Sequence, residues 1–160
     1  MNSDPNCIFC QIVAKKKPEE ILYEDDRVIC FLDRFRQSSV GGHALVIPRE
    51  HYEDIWSLPN DLCAPLMQVT HLIAKASKEV TPCSGIRLWI ANGKSAGQEI
   101  FHLHVHVFPC KSVMDRIKYV FPSLTGKQAV ADSDLSTMAE PIRQKIMEIS
   151  KIENRPIFES

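Results

Sequence analysis

Apolar positions along the chain follow two periods, and the switches between them predict the elements. Leu62, Leu66, Val69, Ile73, Ala76 and Val80 recur every three or four residues, which is one stripe of a long helix. Asn60 or Asp61 is expected to cap its start, and Pro65 to disturb its first turn. His71 lies off the stripe and reads as a surface side chain. Leu135, Met138, Ile142, Ile146 and Ile149 repeat the helical spacing near the C-terminus, with Pro141 expected to split that segment. Residues 7–17 read as a short helix ending in Lys15, Lys16 and Lys17, where positive charge suits the exposed carbonyls.

Elsewhere the pattern alternates, or stays apolar for a few residues, and predicts strands at 21–23, 27–32, 43–47, 84–91 and 100–108. Glu24-Asp25-Asp26 makes an acidic turn between the first two, and Val40-Gly41-Gly42 leads into the third. In the fourth, Ile86, Leu88 and Ile90 share one face, with Arg87 and Trp89 on the other. A Gly-containing loop at 92–98 precedes the last strand, and 122–132 reads as a second loop. The expected fold class is α+β: a mainly antiparallel sheet, one long helix, a short N-terminal helix and a C-terminal helical tail. Residues 1–160 read as one domain, with a core at about 7–109 and an extension at 110–160 packed on it.

Composition narrows the picture. Nineteen basic against 20 acidic side chains give a formal net charge of -1, so no global field draws the chain to nucleic acid or to an anionic membrane. The N-terminus lacks the order of a signal peptide, and no apolar run approaches a membrane span. The expected compartment is the cytoplasm, where the six cysteines are thiols or metal ligands rather than disulfides. Cys30, Cys63, Cys83 and Cys110 are scattered and read as small apolar fillers.

The candidate chemistry sits in His102-Leu103-His104-Val105-His106-Val107-Phe108. Alternation puts three of the six histidines on one face and Leu103, Val105 and Val107 on the other. Besides three solvated rings, two chemistries fit. The rings could together hold one catalytic metal. Alternatively, a neutral imidazole could attack phosphorus, so that one displacement becomes two easier ones. Cys7 and Cys10 form a C-x-x-C pair that supplies two ligands of the four a structural zinc takes. His51 and His102 are available to complete a closed site with Cys7 and Cys10, leaving His104 and His106 free for chemistry.

These residues resemble the histidine-triad (HIT) superfamily, in its zinc-containing branch. The triad strand matches the family signature of three histidines each followed by an apolar residue. Cys7-Ile8-Phe9-Cys10, Tyr23-Glu24-Asp25-Asp26-Arg27, 43–51 and the loop Asn92-Gly93…Ala96-Gly97-Gln98 also look like the family, in its order, over about 7–109. The resemblance implies a HIT-like fold and a nucleotide hydrolase or transferase acting at the α-phosphate. Substrates would be purine nucleoside phosphoramidates or dinucleoside polyphosphates. His104 becomes the nucleophile, and His106 the contact to the α-phosphate and leaving group. Asn92, Gly97 and Gln98 map to the phosphate loop, with Lys94 facing solvent. Asp33 takes the place of the ribose ligand, and Ile8, Phe9, Phe31 and Leu32 flank the base. Cys7, Cys10, His51 and His102 match the structural zinc ligands of relatives, and the homodimer of relatives places the long helix and 84–91 near its interface. The chain departs from many relatives in following Pro109 with Cys110, and in its long tail. A zinc-dependent metallohydrolase using His102, His104 and His106, and a non-catalytic nucleotide-binding module, are the competing readings.

Overall fold

The computed structural model describes residues 2–36, 39–115 and 128–152. In chain order its elements are α1 (Ile8–Val13), β1 (Ile21–Glu24), β2 (Val28–Leu32), β3 (Phe35–Arg36), β4 (Ala44–Pro48), α2 (Asn60–Val80), β5 (Gly85–Trp89), a 3-10 turn (Lys94–Ala96), β6 (Val105–Cys110), β7 (Gln128–Ala129) and α3 (Asp132–Ile152). Five strands form a sheet in the order β1-β2-β4-β6-β5, with every neighbouring pair antiparallel. This is the expected α+β class with one long central helix and a helical tail.

Register decides which side chains meet the helices. Val28, Cys30 and Leu32 of β2 face the same way as Ala44 and Val46 of β4 and Val105 and Val107 of β6. They join Leu66, Ile73 and Ala76 of α2 and Leu135, Ile142 and Ile146 of α3 in one buried cluster. The opposite face carries Ile29, Phe31, Leu45 and Ile47, covered by Cys7, Phe9, Cys10 and Ile12 of α1 and the residue before it. Because both faces are covered, all five residues of β2 and of β4 are buried, and these strands read as unbroken apolar runs.

Two proline expectations change. The α2 cap is Pro59 rather than Asn60 or Asp61, with no side-chain cap. Pro65 does not disturb the helix. The carbonyl it cannot bond, that of Asp61, instead accepts Arg27 Nη2 at 3.0 Å, so the missing N–H is replaced by a side-chain donor. Pro141 likewise lies inside a continuous α3. That helix presses Leu135, Ala139, Ile142, Ile146 and Ile149 into the core, and this burial outweighs one lost backbone bond. His71 is exposed, as expected from its place off the α2 stripe, but so is Cys63, which directly follows Leu62 and faces solvent rather than filling the core.

The tail also reaches the sheet's edge. Arg143 Nε donates to the Ile21 carbonyl at 2.6 Å, and its guanidinium pairs with Glu20. β7 pairs with β3, so 128–129 is strand where a loop was expected, while 122–127 lies outside the described residues. Gly41 lets α3 approach: it adopts φ +71, and a Cβ there would lie 2.9 Å from Met138 Sδ. Among the described residues, no helix is long and apolar enough to cross a membrane.

Candidate active site

The histidine segment begins before its strand. β6 spans Val105–Cys110, later than the expected 100–108, so His102 and His104 stand on the extended approach and only His106 lies in the ladder. Leu103 N–H bonds the Tyr52 carbonyl at 2.6 Å instead of a β4 partner. At the other end β4 pairs no further than Ala44↔Val107, so Pro109 meets no β4 residue, and a missing donor is tolerated there. The alternation itself holds. Leu103, Val105 and Val107 are fully buried against the helices, and the histidines project to the α1 side.

That side is not solvated: His102 is 0% and His104 6% exposed. Each ring is fixed by a backbone carbonyl. A carbonyl only accepts, so it decides which nitrogen carries the proton. His102 Nε2–H donates to the Pro48 carbonyl at 2.9 Å, leaving Nδ1 bare. His104 does the reverse: Nδ1–H donates to the His102 carbonyl at 2.7 Å, leaving Nε2 bare. Two neighbouring histidines thus offer opposite nitrogens to opposite sides.

The His102 side is a four-donor cluster. Cys7 Sγ lies 3.5 Å and Cys10 Sγ 3.7 Å from His102 Nδ1, and Cys10 Sγ lies 3.3 Å from His51 Nδ1. All four donor atoms fall within 4.8 Å of one another. Bonds of about 2.3 Å to sulfur and 2.0–2.1 Å to nitrogen set tetrahedral edges of roughly 3.3–3.8 Å, which these separations match. The Pro48 carbonyl behind His102 is the outer support a metal-bound imidazole needs. Cys7, Cys10, His51 and His102 therefore fit a tetrahedral ion. Burial pushes the His102 imidazole down to about 4, so the ring is neutral and its lone pair available. Among the described residues this is the one group of His, Cys, Asp and Glu donors arranged to share an ion. His104 and His106 are outside it.

The other side opens into a cavity of about 900 Å³ bordered by His104 and His106. Burial lowers the affinity of the His104 ring for a second proton, as it does for His106, which is pushed down to about 2 with His43 and His104 adding repulsion. His104 is then neutral at pH 7, and its bare Nε2 is a nucleophile. Phe9 wedges between the two sides, edge-on to His102 at 5.7 Å and to His104 at 5.3 Å.

Ile8, Phe9, Phe31 and Leu32 all border the cavity, as does Asp33. Phe9, Phe31 and Leu32 are nonetheless almost fully buried, so the same side chains serve core and cavity wall. Of the loop residues, Gly97 borders the cavity together with Ser95 and Ala96. The Asn92 carbonyl oxygen and both ends of the Gln98 amide bond protein groups. Asn92 Oδ1 accepts Ile55 N–H at 2.8 Å. Gln98 Oε1 accepts Gly93 N–H at 2.7 Å, while its Nε2 donates to the Glu53 carbonyl at 2.6 Å. The N–H groups of Ala96, Gly97 and Gln98 bond carbonyls of Gly93 and Lys94 within the loop. These residues shape the loop, and Ser95 is its polar side chain on the cavity.

Three features in and beside the cavity escape the sequence pattern. His43 opens the 43–51 segment and drew no role there, yet it is 3% exposed, stacked on His106 behind the cavity and edge-on to Phe108. Trp89 borders the cavity because it pairs across strands with His106, and Arg87 lies over its ring at 4.8 Å. Asp132, from the tail, joins Lys17, Glu19 and Arg34 at the far end. Its ion pair with Arg34 at 2.6 Å needs the fold to bring it there.

Comparison with known proteins places this geometry. The model of the HIT domain family matches residues 14–113. The adenylylsulfatase HINT3 of Arabidopsis thaliana is 38% identical over 106 residues, covering 66% of this chain and 53% of its own length. The crystal structure of a hypothetical histidine triad nucleotide-binding protein from Sulfolobus tokodaii superposes with a TM-score of 0.80 at 29% identity, over 96% of this chain and 100% of that one. A Zn-bound histidine triad family protein from Mycobacterium smegmatis gives 0.74 at 28% identity, over 92% and 97%. With more than half of its length matched by the family model, and with the fold shared, this chain belongs to the HIT family.

Proposed function

We propose that the protein cleaves nucleotide conjugates at the α-phosphorus through a nucleotidyl intermediate on His104. One observation carries this reading: the His102 carbonyl holds the proton on His104 Nδ1, which leaves Nε2 bare at the wall of a mononucleotide-sized or larger cavity. His106 adjoins it, with ring centroids 4.8 Å apart, within reach of the group that departs. Asp33 offers carboxylate oxygens to the ribose hydroxyls, and Ile8, Phe9, Phe31 and Leu32 flank a purine base. Gly97 and the Ser95 hydroxyl face the phosphate, and Asn92 and Gln98 hold the loop that presents them. A sulfate-carrying nucleotide acted on by the Arabidopsis relative, and purine phosphoramidates or dinucleoside polyphosphates, share the α-phosphorus this arrangement needs.

Zinc on Cys7, Cys10, His51 and His102 is part of the same reading. Bound there, it supplies structural crosslinking of the N-terminal segment to the sheet, and the chemistry stays with His104 and His106. A zinc-bound solved relative supports it. Two copies would associate along α2 and the edge strand β5, where Met67 and Leu88 are 50% and 47% exposed. Light scattering of the purified protein tests that association, and a monomer at micromolar concentration would refute it.

The deciding experiment traps the intermediate. The protein is mixed with adenosine 5′-phosphoramidate or diadenosine tetraphosphate, quenched and digested. An AMP adduct is expected on the peptide containing His104, and none in His104→Ala. Turnover without any adduct in the wild type, or full activity in His104→Ala, would sink the reading.

A further inference from the structure

Beyond the apolar slot read as the base site, the cavity has a charged end to which the proposed chemistry assigns no role. Leu32 N–H donates to the Glu20 carbonyl at 3.0 Å, which brings Glu19 alongside Leu32 and Asp33. Lys17, Glu19, Arg34 and Asp132 all border the cavity there. Lys17 is exposed, whereas the Glu19 side chain is only 11% exposed.

Hydrogen bonds separate what this end has committed from what it offers. Each nitrogen of the Arg34 guanidinium donates to a protein group: Nε to Glu19 Oε1 at 2.7 Å, Nη1 to Asp132 Oδ1 at 2.6 Å and Nη2 to the Pro18 carbonyl at 2.8 Å. Asp132 is 82% exposed, so water satisfies the rest of its carboxylate. Glu19 differs. Its Oε2 is buried and accepts no hydrogen bond among the described residues. Burial raises the proton affinity of this carboxyl against the pull of Arg34, so the anion is short of a donor. A carboxylate oxygen shut off from water and unpaired is costly, and a ligand that supplies an N–H removes that cost. The terminal torsion of a glutamate is soft, so a small turn presents Oε2 to the cavity that Glu19 already borders.

An ionised carboxylate only accepts, so it selects a base by the donors on its edge. Guanine presents two adjacent donors, N1–H and the 2-amine, beside the acceptor O6. Adenine presents one donor, the 6-amine, beside a bare N1 whose lone pair would face the carboxylate. A carboxylate with a lysine beside it therefore matches guanine and mismatches adenine. Resting on the base slot of the nucleotidyl reading, we propose that Glu19 reads the base edge and makes guanine nucleotides the preferred ligands. Its carboxylate takes the N1–H and 2-amine donors, and Lys17 meets O6. Arg34, itself paired with Asp132 of the tail, keeps the carboxylate at the cavity wall.

The test is equilibrium binding, which needs no turnover. Calorimetry compares GMP, IMP and AMP on the full chain. The wild type is expected to bind GMP about 10-fold or more tighter than AMP. IMP keeps N1–H and O6 but lacks the 2-amine, so it should bind more weakly than GMP. In Glu19→Ala the guanine preference should vanish, and in Glu19→Gln, which keeps one acceptor, part of it should remain. Metal content and melting temperature report that the fold is kept. The wild-type ranking decides the matter even where a variant fails to fold: AMP or IMP bound as tightly as GMP would overturn the proposal. So would a guanine preference that survives Glu19→Ala, or an equal loss of affinity for all three nucleotides in that variant. Binding of none of the three by the wild type overturns the base slot and this proposal together. A guanine preference without any adduct on His104 sinks the nucleotidyl reading alone.

Discussion

His102 and His104 are two residues apart, both buried, and face the same side of the sheet, yet they turn opposite nitrogens to opposite surroundings. His102 gives its Nε2 proton to the Pro48 carbonyl and turns Nδ1 to two cysteines and His51. His104 gives its Nδ1 proton to the His102 carbonyl and turns Nε2 to an open cavity. The side chains are identical, so the difference comes from which carbonyl each ring reaches. A motif of alternating histidines supplies three rings, and the backbone around them decides which ring turns a bare nitrogen to the cysteines and which turns one to the cavity.

The sharpest way to break this comparison is to remove the ring that faces the cavity. His104→Ala should lower kcat on the order of 10⁴-fold or more, about 5.4 kcal/mol of barrier, because no other bare nitrogen faces the phosphorus in the same place. Metal content and melting temperature should change little. Steady-state rates and metal analysis on one preparation check both halves. A comparable fall in bound metal would mean that the two rings are not functionally separate.

Removing the metal partner should give the opposite pattern. Cys10→Ser, or chelation, should lower stability by about 4 kcal/mol, hence the melting temperature by roughly 8–16 °C. At a temperature where the stripped protein stays folded, adduct formation on His104 should persist. Complete loss of the adduct with the fold intact would favour a catalytic metal on the triad. Circular dichroism and adduct mass measured on the same sample distinguish these outcomes.

Much of this division was readable in the sequence, for physical reasons that particular residues show. The α2 stripe from Leu62 to Val80 and the 102–107 alternation are local periodicities, and local periodicity survives folding. Cys7 and Cys10 were readable because a metal pair has a fixed spacing. His43 was not. A lone polar residue before an apolar run has no spacing to betray it, and its partners Asp33 and His106 are 10 and 63 positions away. The hydrogen bonds of the 92–98 loop were hidden for a different reason. Asn92 and Gln98 suit a phosphate chemically, and their bonds to Ile55, Gly93 and Glu53 have no signature in the sequence. Pro65 and Pro141 were expected to interrupt helices because propensity is local, whereas Arg27 and the α3 core contacts that offset them are tertiary.

His106 allows a smaller test, on stability rather than rate. Its folded-state affinity for a proton is depressed to about 2, against about 6.5 in the unfolded chain. Above pH 6.5 neither state is protonated and nothing is lost. As pH falls below 6.5 the unfolded chain gains the proton first, so stability drops and continues to drop toward the folded value. Between pH 7 and pH 5 the wild type should lose up to about 2 kcal/mol more than His106→Asn, which has no such group. Denaturant melts at both pH values measure the difference. Parallel losses in the two proteins would contradict a buried, neutral His106.

The smallest expected effect concerns Phe9, which touches both sides at once. Its ring lies edge-on to His102, to His104 and, at 5.5 Å, to Phe31. Phe9→Leu keeps the site apolar but removes the three edge contacts, so stability should fall by about 1 kcal/mol. If the ring merely fills space, metal affinity and KM should both stay near their starting values. If it is the wedge that keeps His102 turned toward the cysteines and His104 toward the cavity, both should weaken together, each by a few-fold. Metal competition and KM for one nucleotide substrate, measured on the same variant, decide the matter. The geometry predicts the coupled change, since Phe9 is 3% exposed and any ring shift at one histidine moves its contact with the other.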